Sequence, residues 1–160
     1  MIPMETLDMT LTRRHLLTFA IAAPAAVTLA SRAIAAEPEV YAEGGIAIDG
    51  SDAVAYFAEE GPVAGDPAIT YDYMGATWRF SSEENRDAFA ADPAAYAPQY
   101  GGYCAFAVSQ GYTASTVPDA WSIVDGKLYL NFSTSVRRRW LRDVPGHIAA
   151  GDANWPSVLG

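Results

Sequence analysis

An α+β fold, with a small antiparallel sheet and several short helices in a single domain, is what this sequence predicts. Three patterns lead to it. Apolar and aromatic residues alternate with polar ones at 69–73 and again at 77–80, the period of half-buried strands. Turn signals separate the runs at short intervals, most clearly Asp125-Gly126 between two apolar alternations. Between the strand pairs stand short segments with Ser or Asp in front of helix-forming residues. Segregated strands and helices of this kind belong to the α+β class rather than to a parallel sheet.

Taken in order, residues 1–35 read as an export leader and stand outside the fold. Arg13-Arg14 precede an apolar stretch at residues 16–29, and Ala33-Ile34-Ala35 fits a small-x-small cleavage site. Paired arginines before a weakly apolar stretch resemble a Tat signal, the alternatives being an ordinary Sec signal or an uncleaved anchor. This predicts a mature domain over residues 36–160, located in the periplasm, with no stable insertion in a membrane once the leader is removed. Removing residues 1–35 takes two acids (Glu5, Asp8) from 19 and three bases (Arg13, Arg14, Arg32) from 10. That leaves 17 against 7, a net charge of −10. So acidic a surface repels phosphate backbones, and nucleic acid is excluded as a partner.

Within the mature domain, Ile46-Ala47-Ile48 predicts a short strand ending at Asp49-Gly50, and Ser51 or Asp52 is placed to cap a brief helix through Val54, Tyr56 and Phe57. Gly61-Pro62 and Gly65-Asp66-Pro67 mark a loop. Ile69, Tyr71 and Tyr73 form one strand face, and Trp78 and Phe80 another. Met74-Gly75-Ala76 turns between them, because Gly75 tolerates positive φ. Ser81 stands three residues before Glu84, the spacing of a capping box. Asp92-Pro93 ends that helix and starts a further turn closed by Tyr96. A helix is expected to open near Tyr103 and end at Gly111, followed by a loop over 113–118. Trp121, Ile123, Leu128 and Leu130 flank the Asp125-Gly126 hairpin. Ser133 caps a helix carrying Val136, Trp140 and Leu141, and Pro145-Gly146 is expected to break it. The tail packs through Ile148, Trp155 and Leu159.

Cys104 is the only cysteine, so no internal disulfide exists. In an exported chain such a residue is either a buried apolar side chain or a thiol with a role. At the opening of a helix, after Gly101-Gly102, backbone amides would favour its thiolate, and the two glycines would let a substrate or partner come close. Tyr96, Tyr100, Tyr103 and Tyr112 surround it in sequence. With Gly101 and Gly102 they form the candidate ligand pocket. His147 and Met74 are too few soft donors to join Cys104 in a metal site, and neither metal nor cofactor is expected. Ser109 and Ser122 lack the context of an activated nucleophile. Arg137-Arg138-Arg139 with Arg142 forms a basic patch on a helix, either a surface for an anionic ligand or partner or a solvated face that offsets nearby acids. No complete catalytic constellation emerges, and whether the chain is an enzyme stays open.

The run Tyr73-Met-Gly-Ala-Thr-Trp-Arg-Phe-Ser-Ser82, with Phe89, Asp92-Pro93 and Tyr96, resembles a YHS domain. Its continuation from Tyr100 to Gly111 is similar to an exported bacterial branch, the YHS domain-containing (seleno)proteins, some of which carry selenocysteine at the position of Cys104. The likeness extends to Gly50–Phe57, to 121–131 and to 152–156. The resemblance implies redox or soft-metal chemistry at Cys104. Other YHS-like domains resemble metal-binding modules with two cysteines after the second strand. Ser81 and Asn85 occupy those positions here. Three readings follow: a binding module for a small ligand or soft metal centred on Cys104, a redox protein using Cys104 as thiolate with an external thiol partner, or an interaction domain in which Cys104 is inert.

Overall fold

The computed structural model describes residues 35–160. The leader assigned to 1–35 falls, but for Ala35, on the preceding residues and lies outside the described part. Two short strands open the fold, β1 (Ala42–Glu43) and β2 (Ile46–Ala47), followed by α1 (Ala55–Ala58). The hairpin of β3 (Asp66–Tyr73) and β4 (Ala76–Phe80) leads into α2 (Glu83–Ala91) and α3 (Pro93–Tyr96). After a 3-10 turn at Gln99–Gly102 come α4 (Ala105–Ser109), the hairpin of β5 (Trp121–Val124) and β6 (Lys127–Leu130), α5 (Thr134–Trp140) and α6 (Val144–Asn154). The fold is α+β.

The first sheet runs β1-β2-β4-β3. Its β1–β2 and β3–β4 pairs are antiparallel, and β2 lies parallel to β4. Met74 and Gly75 both take positive φ, at 50° and 77°, so the turn between β3 and β4 is a two-residue hairpin loop of the primed kind that matches strand twist. Asp125 and Gly126 do the same at 50° and 74° between β5 and β6.

Two apolar clusters make the core, and β6 stands between them. Leu128 and Leu130 join Ile48, Tyr56, Trp78, Phe80 and Phe89. Tyr129, on the opposite face, joins Tyr100, Tyr103, Val108 and Trp140. Period-two alternation along one strand therefore serves both clusters at once.

Three local expectations shift. The cap of α2 is Ser82, whose hydroxyl accepts from the Asn85 amide at 3.1 Å, and not Ser81. Ser81 is engaged elsewhere, as described below. The segment 65–67 is not all loop, because β3 already starts at Asp66. Pro145-Gly146 does not merely stop a helix. It lies in the first turn of α6, where Pro lacks only an amide that needs no helical partner, and Asp143 accepts from the Gly146 amide at 3.0 Å. The tail is thus a helix of 11 residues. Its Asn154 donates to the carbonyls of Val108 and Ser109, at 2.9 and 3.3 Å, and so ties the end of α4 to α6.

Candidate functional site

Cys104 sits just before α4 with 1% of its surface exposed. Its amide donates to the Ala114 carbonyl at 3.0 Å and its carbonyl accepts from Val108 at 2.9 Å, so the backbone is fixed on both sides. The sulfur faces the end of β6. The Phe132 amide donates to Sγ at 3.2 Å, and the thiol donates to Oδ1 of Asn131 at 3.6 Å. Burial pushes the Cys104 thiol up. The amides of Ala107, Phe132 and Phe106 pull the other way and do not overcome it. Asn131 Oδ1, an acceptor beside the sulfur, adds to the preference for the S–H form.

Asn131 is itself fully buried. Oδ1 also accepts from the Phe106 amide at 3.1 Å, and that fixes which end of the side chain is oxygen. Its Nδ2 has no hydrogen-bond partner among the described residues. Nothing short-range in the sequence marks Asn131. It follows the Leu128-Tyr129-Leu130 alternation, and only its place at the strand end brings it under α4.

The sulfur lines a pocket of about 260 Å³ with Phe106, Ala107, Tyr112, Ala114, Phe132, Val136 and Arg139. Tyr112 and Phe132 are each 52% exposed. Of the tyrosines read from sequence as pocket residues, Tyr112 alone lies with Cys104. Tyr96 packs edge-on against Phe57. Tyr100 and Gly101 line a different groove, with Trp78 and Trp155, and Tyr103 faces a third hollow beside Glu37 and Tyr41. Tyr100 is an internal brace. Its hydroxyl donates to Asp152 at 2.9 Å, and burial followed by that carboxylate pushes its pKa far up.

Gly101 and Gly102 do admit a close neighbour, but it is the chain's own N-terminal segment. Both take positive φ. A β-carbon on Gly101 would run into the carbonyl of Glu39, and one on Gly102 would come within 2.6 Å of the Ile48 side chain. Tyr41 donates to the Gly101 carbonyl at 2.9 Å, and the Tyr103 hydroxyl to the Pro38 carbonyl at 2.8 Å.

A second polar cluster involves the two positions where metal-binding YHS-like modules have cysteine. Asp52 is fully buried, and its carboxylate accepts five contacts. Oδ1 takes the amides of Val54 and Ala55, at 2.9 and 3.2 Å, which caps α1. Oδ2 takes the Ser81 amide at 2.8 Å, the Ser81 hydroxyl at 2.7 Å and the Asn85 side-chain amide at 2.8 Å. Ser81 and Asn85 therefore spend their polar groups on a carboxylate. No group of three or more His, Cys, Asp or Glu side chains able to hold a metal exists among the described residues.

Sequence spacing also misses a serine–histidine contact. Ser109 Oγ lies 3.1 Å from Nδ1 of His147, whose ring packs edge-on against Phe106. The serine hydroxyl donates to the Phe106 carbonyl at 2.6 Å and accepts from Gln110 at 3.1 Å. Its one proton is committed to the shorter contact, so the histidine serves as donor and not as base. The pair is a structural tie between α4 and α6.

The fold and its sites thus define a small α+β module with one saturated polar hub and one apolar pocket walled by a thiol. A YHS domain is found at residues 54–100. The matched stretch runs from α1 to the Tyr100 turn and contains Ser81 and Asn85. Asp52 precedes it, and the Cys104 pocket lies wholly beyond it. No curated protein and no solved structure matches the chain.

Proposed function

We propose that the protein is a periplasmic binding module that takes a small ligand in the Cys104 pocket. One observation carries the reading: a thiol with almost no exposed surface forms a wall of a 260 Å³ pocket whose other walls are mostly apolar and whose two large aromatics stand half exposed. Large exposed aromatics beside a concavity are what a ligand would cover. The sulfur is a soft, polarisable contact there.

The soft-metal branch of this reading has weaker support, because Cys104 is the single strong soft donor lining the pocket. The redox alternative is favoured by the Phe132 amide aimed at the sulfur and opposed by the burial that holds the thiol protonated.

The test is a titration of the isotope-labelled mature domain with benzyl alcohol, a neutral probe small enough for the pocket, read by amide shifts. Shifts confined to residues 104–114 and 131–139 support the reading. Uniform shifts, or none with either this probe or its anionic analogues of the same size, overturn it. Export is tested separately: the N-terminal sequence of material released from the periplasm is expected to begin near Ala36, and a protein retaining Met1 in the cytoplasm refutes it.

A further inference from the structure

We infer that the Cys104 pocket selects small organic anions, with the apolar body on Phe106, Phe132 and Val136 and the anionic head on Arg139. The inference rests on the binding reading above and names the class of ligand.

Charge is the first argument. The lining contains one cation, Arg139, and no carboxylate, in a chain whose residues 36–160 carry a net charge of −10. Among the described residues, the ion pairs all belong to Arg86, so no acid neutralises Arg139. Arg137, two positions earlier, donates through Nε to Ser122 at 2.8 Å and is spent on the β5 side. Val136 and Arg139 are three apart on α5 and share the face that lines the pocket.

Chemistry and size supply the rest. A guanidinium presents a planar fork of donors that suits a carboxylate, sulfonate or phosphate head. The thiol is hydrogen-bonded to Asn131 Oδ1 as a donor, so the opposite wall carries no negative charge to repel an anion. A volume of 260 Å³ corresponds to about nine waters at roughly 30 Å³ each. It suits a ligand of about that many non-hydrogen atoms.

The experiment compares benzoate, benzenesulfonate and benzyl alcohol on the mature domain by amide-shift titration, with Arg139→Gln and the pocket-filling Val136→Trp. The expected result is that at least one anion binds roughly tenfold more tightly than the alcohol. Arg139→Gln removes that advantage without weakening the alcohol, and Val136→Trp abolishes all three. Anions that bind no better than the alcohol, or whose binding ignores Arg139→Gln, overturn the selectivity and leave the binding reading standing. If none of the three probes shifts pocket amides, both fall. An unchanged far-ultraviolet circular dichroism spectrum and melting curve establish that each variant is folded.

Discussion

Asp52 and Asn131 are both fully buried polar side chains, and both hold the start of a helix, yet they are finished to different degrees. Asp52 meets five donors and uses both oxygens. Asn131 uses one end, for the Phe106 amide and the Cys104 thiol, and its other end has no partner among the described residues. Around Asp52 the chain closes completely and joins α1 to the β4–α2 corner. Beside Asn131 a pocket opens, with two exposed aromatics and an arginine that pairs with no acid among the described residues. A saturated network is worth its desolvation as architecture, whereas an unsaturated one beside a pocket is where a ligand has most to gain.

That contrast is open to attack by substitution. The largest effect is expected from Asp52→Ala, which strands the Val54, Ala55 and Ser81 amides and the Asn85 side chain. Urea unfolding should show a loss of about 3–5 kcal/mol, and a loss below about 1 kcal/mol would falsify the hub. Next comes alkali. Burial, more than the charges of Asp119 and Asp49, raises the Tyr56 pKa to about 12 from 10. The folded state therefore favours the neutral phenol, and its contribution is intact below pH 10 and disappears as pH rises toward 12. The loss is on the order of 2–3 kcal/mol, and Tyr56→Phe should flatten that limb of the stability–pH curve. Tyr41, also raised to about 12, is more exposed and should flatten it less.

Asn131→Ala comes third. It frees the Phe106 amide but removes an unpaired Nδ2, so the net loss is expected to stay near 1–2 kcal/mol. A loss matching that of Asp52→Ala would erase the distinction between the two clusters. Cys104 should label slowly with a thiol reagent at pH 8, and Asn131→Ala should accelerate it, since an acceptor that favours S–H is gone. Equal rates would show that burial alone guards the sulfur. Arg139→Gln is placed last, with a change in melting within about 0.5 kcal/mol. A larger destabilisation would mean that Arg139 holds the fold together and does not stand free for a ligand.

Much of the architecture was written in local patterns. Both hairpins carry Gly at a positive-φ turn position, and the alternation of Trp78 with Phe80 and of Leu128 with Leu130 marks core faces. Ser133 caps α5 as its position suggests. Ser81 misled because its spacing to Glu84 satisfies a local rule, while the competing partner, Asp52, lies 29 residues earlier. The tyrosines around Cys104 misled for a related reason. Neighbours in sequence diverge when the backbone turns sharply, and Tyr100, Gly101 and Gly102 all take positive φ. Val136 and Arg139, which do reach the pocket, arrive from a helix that sequence reading placed correctly but did not bring to Cys104.

The segment that crosses Gly101 also ends the domain where it began. The Glu37 amide donates to the Leu159 carbonyl at 2.7 Å, so the first and last residues of the folded body are neighbours. A circularly permuted version, with a short linker joining 36 to 160 and new ends cut at the exposed Asp125-Gly126 turn or near Gly61, should therefore keep the same tertiary structure. Cutting instead at Gly101 would release the strap that the glycine pair exists to accommodate.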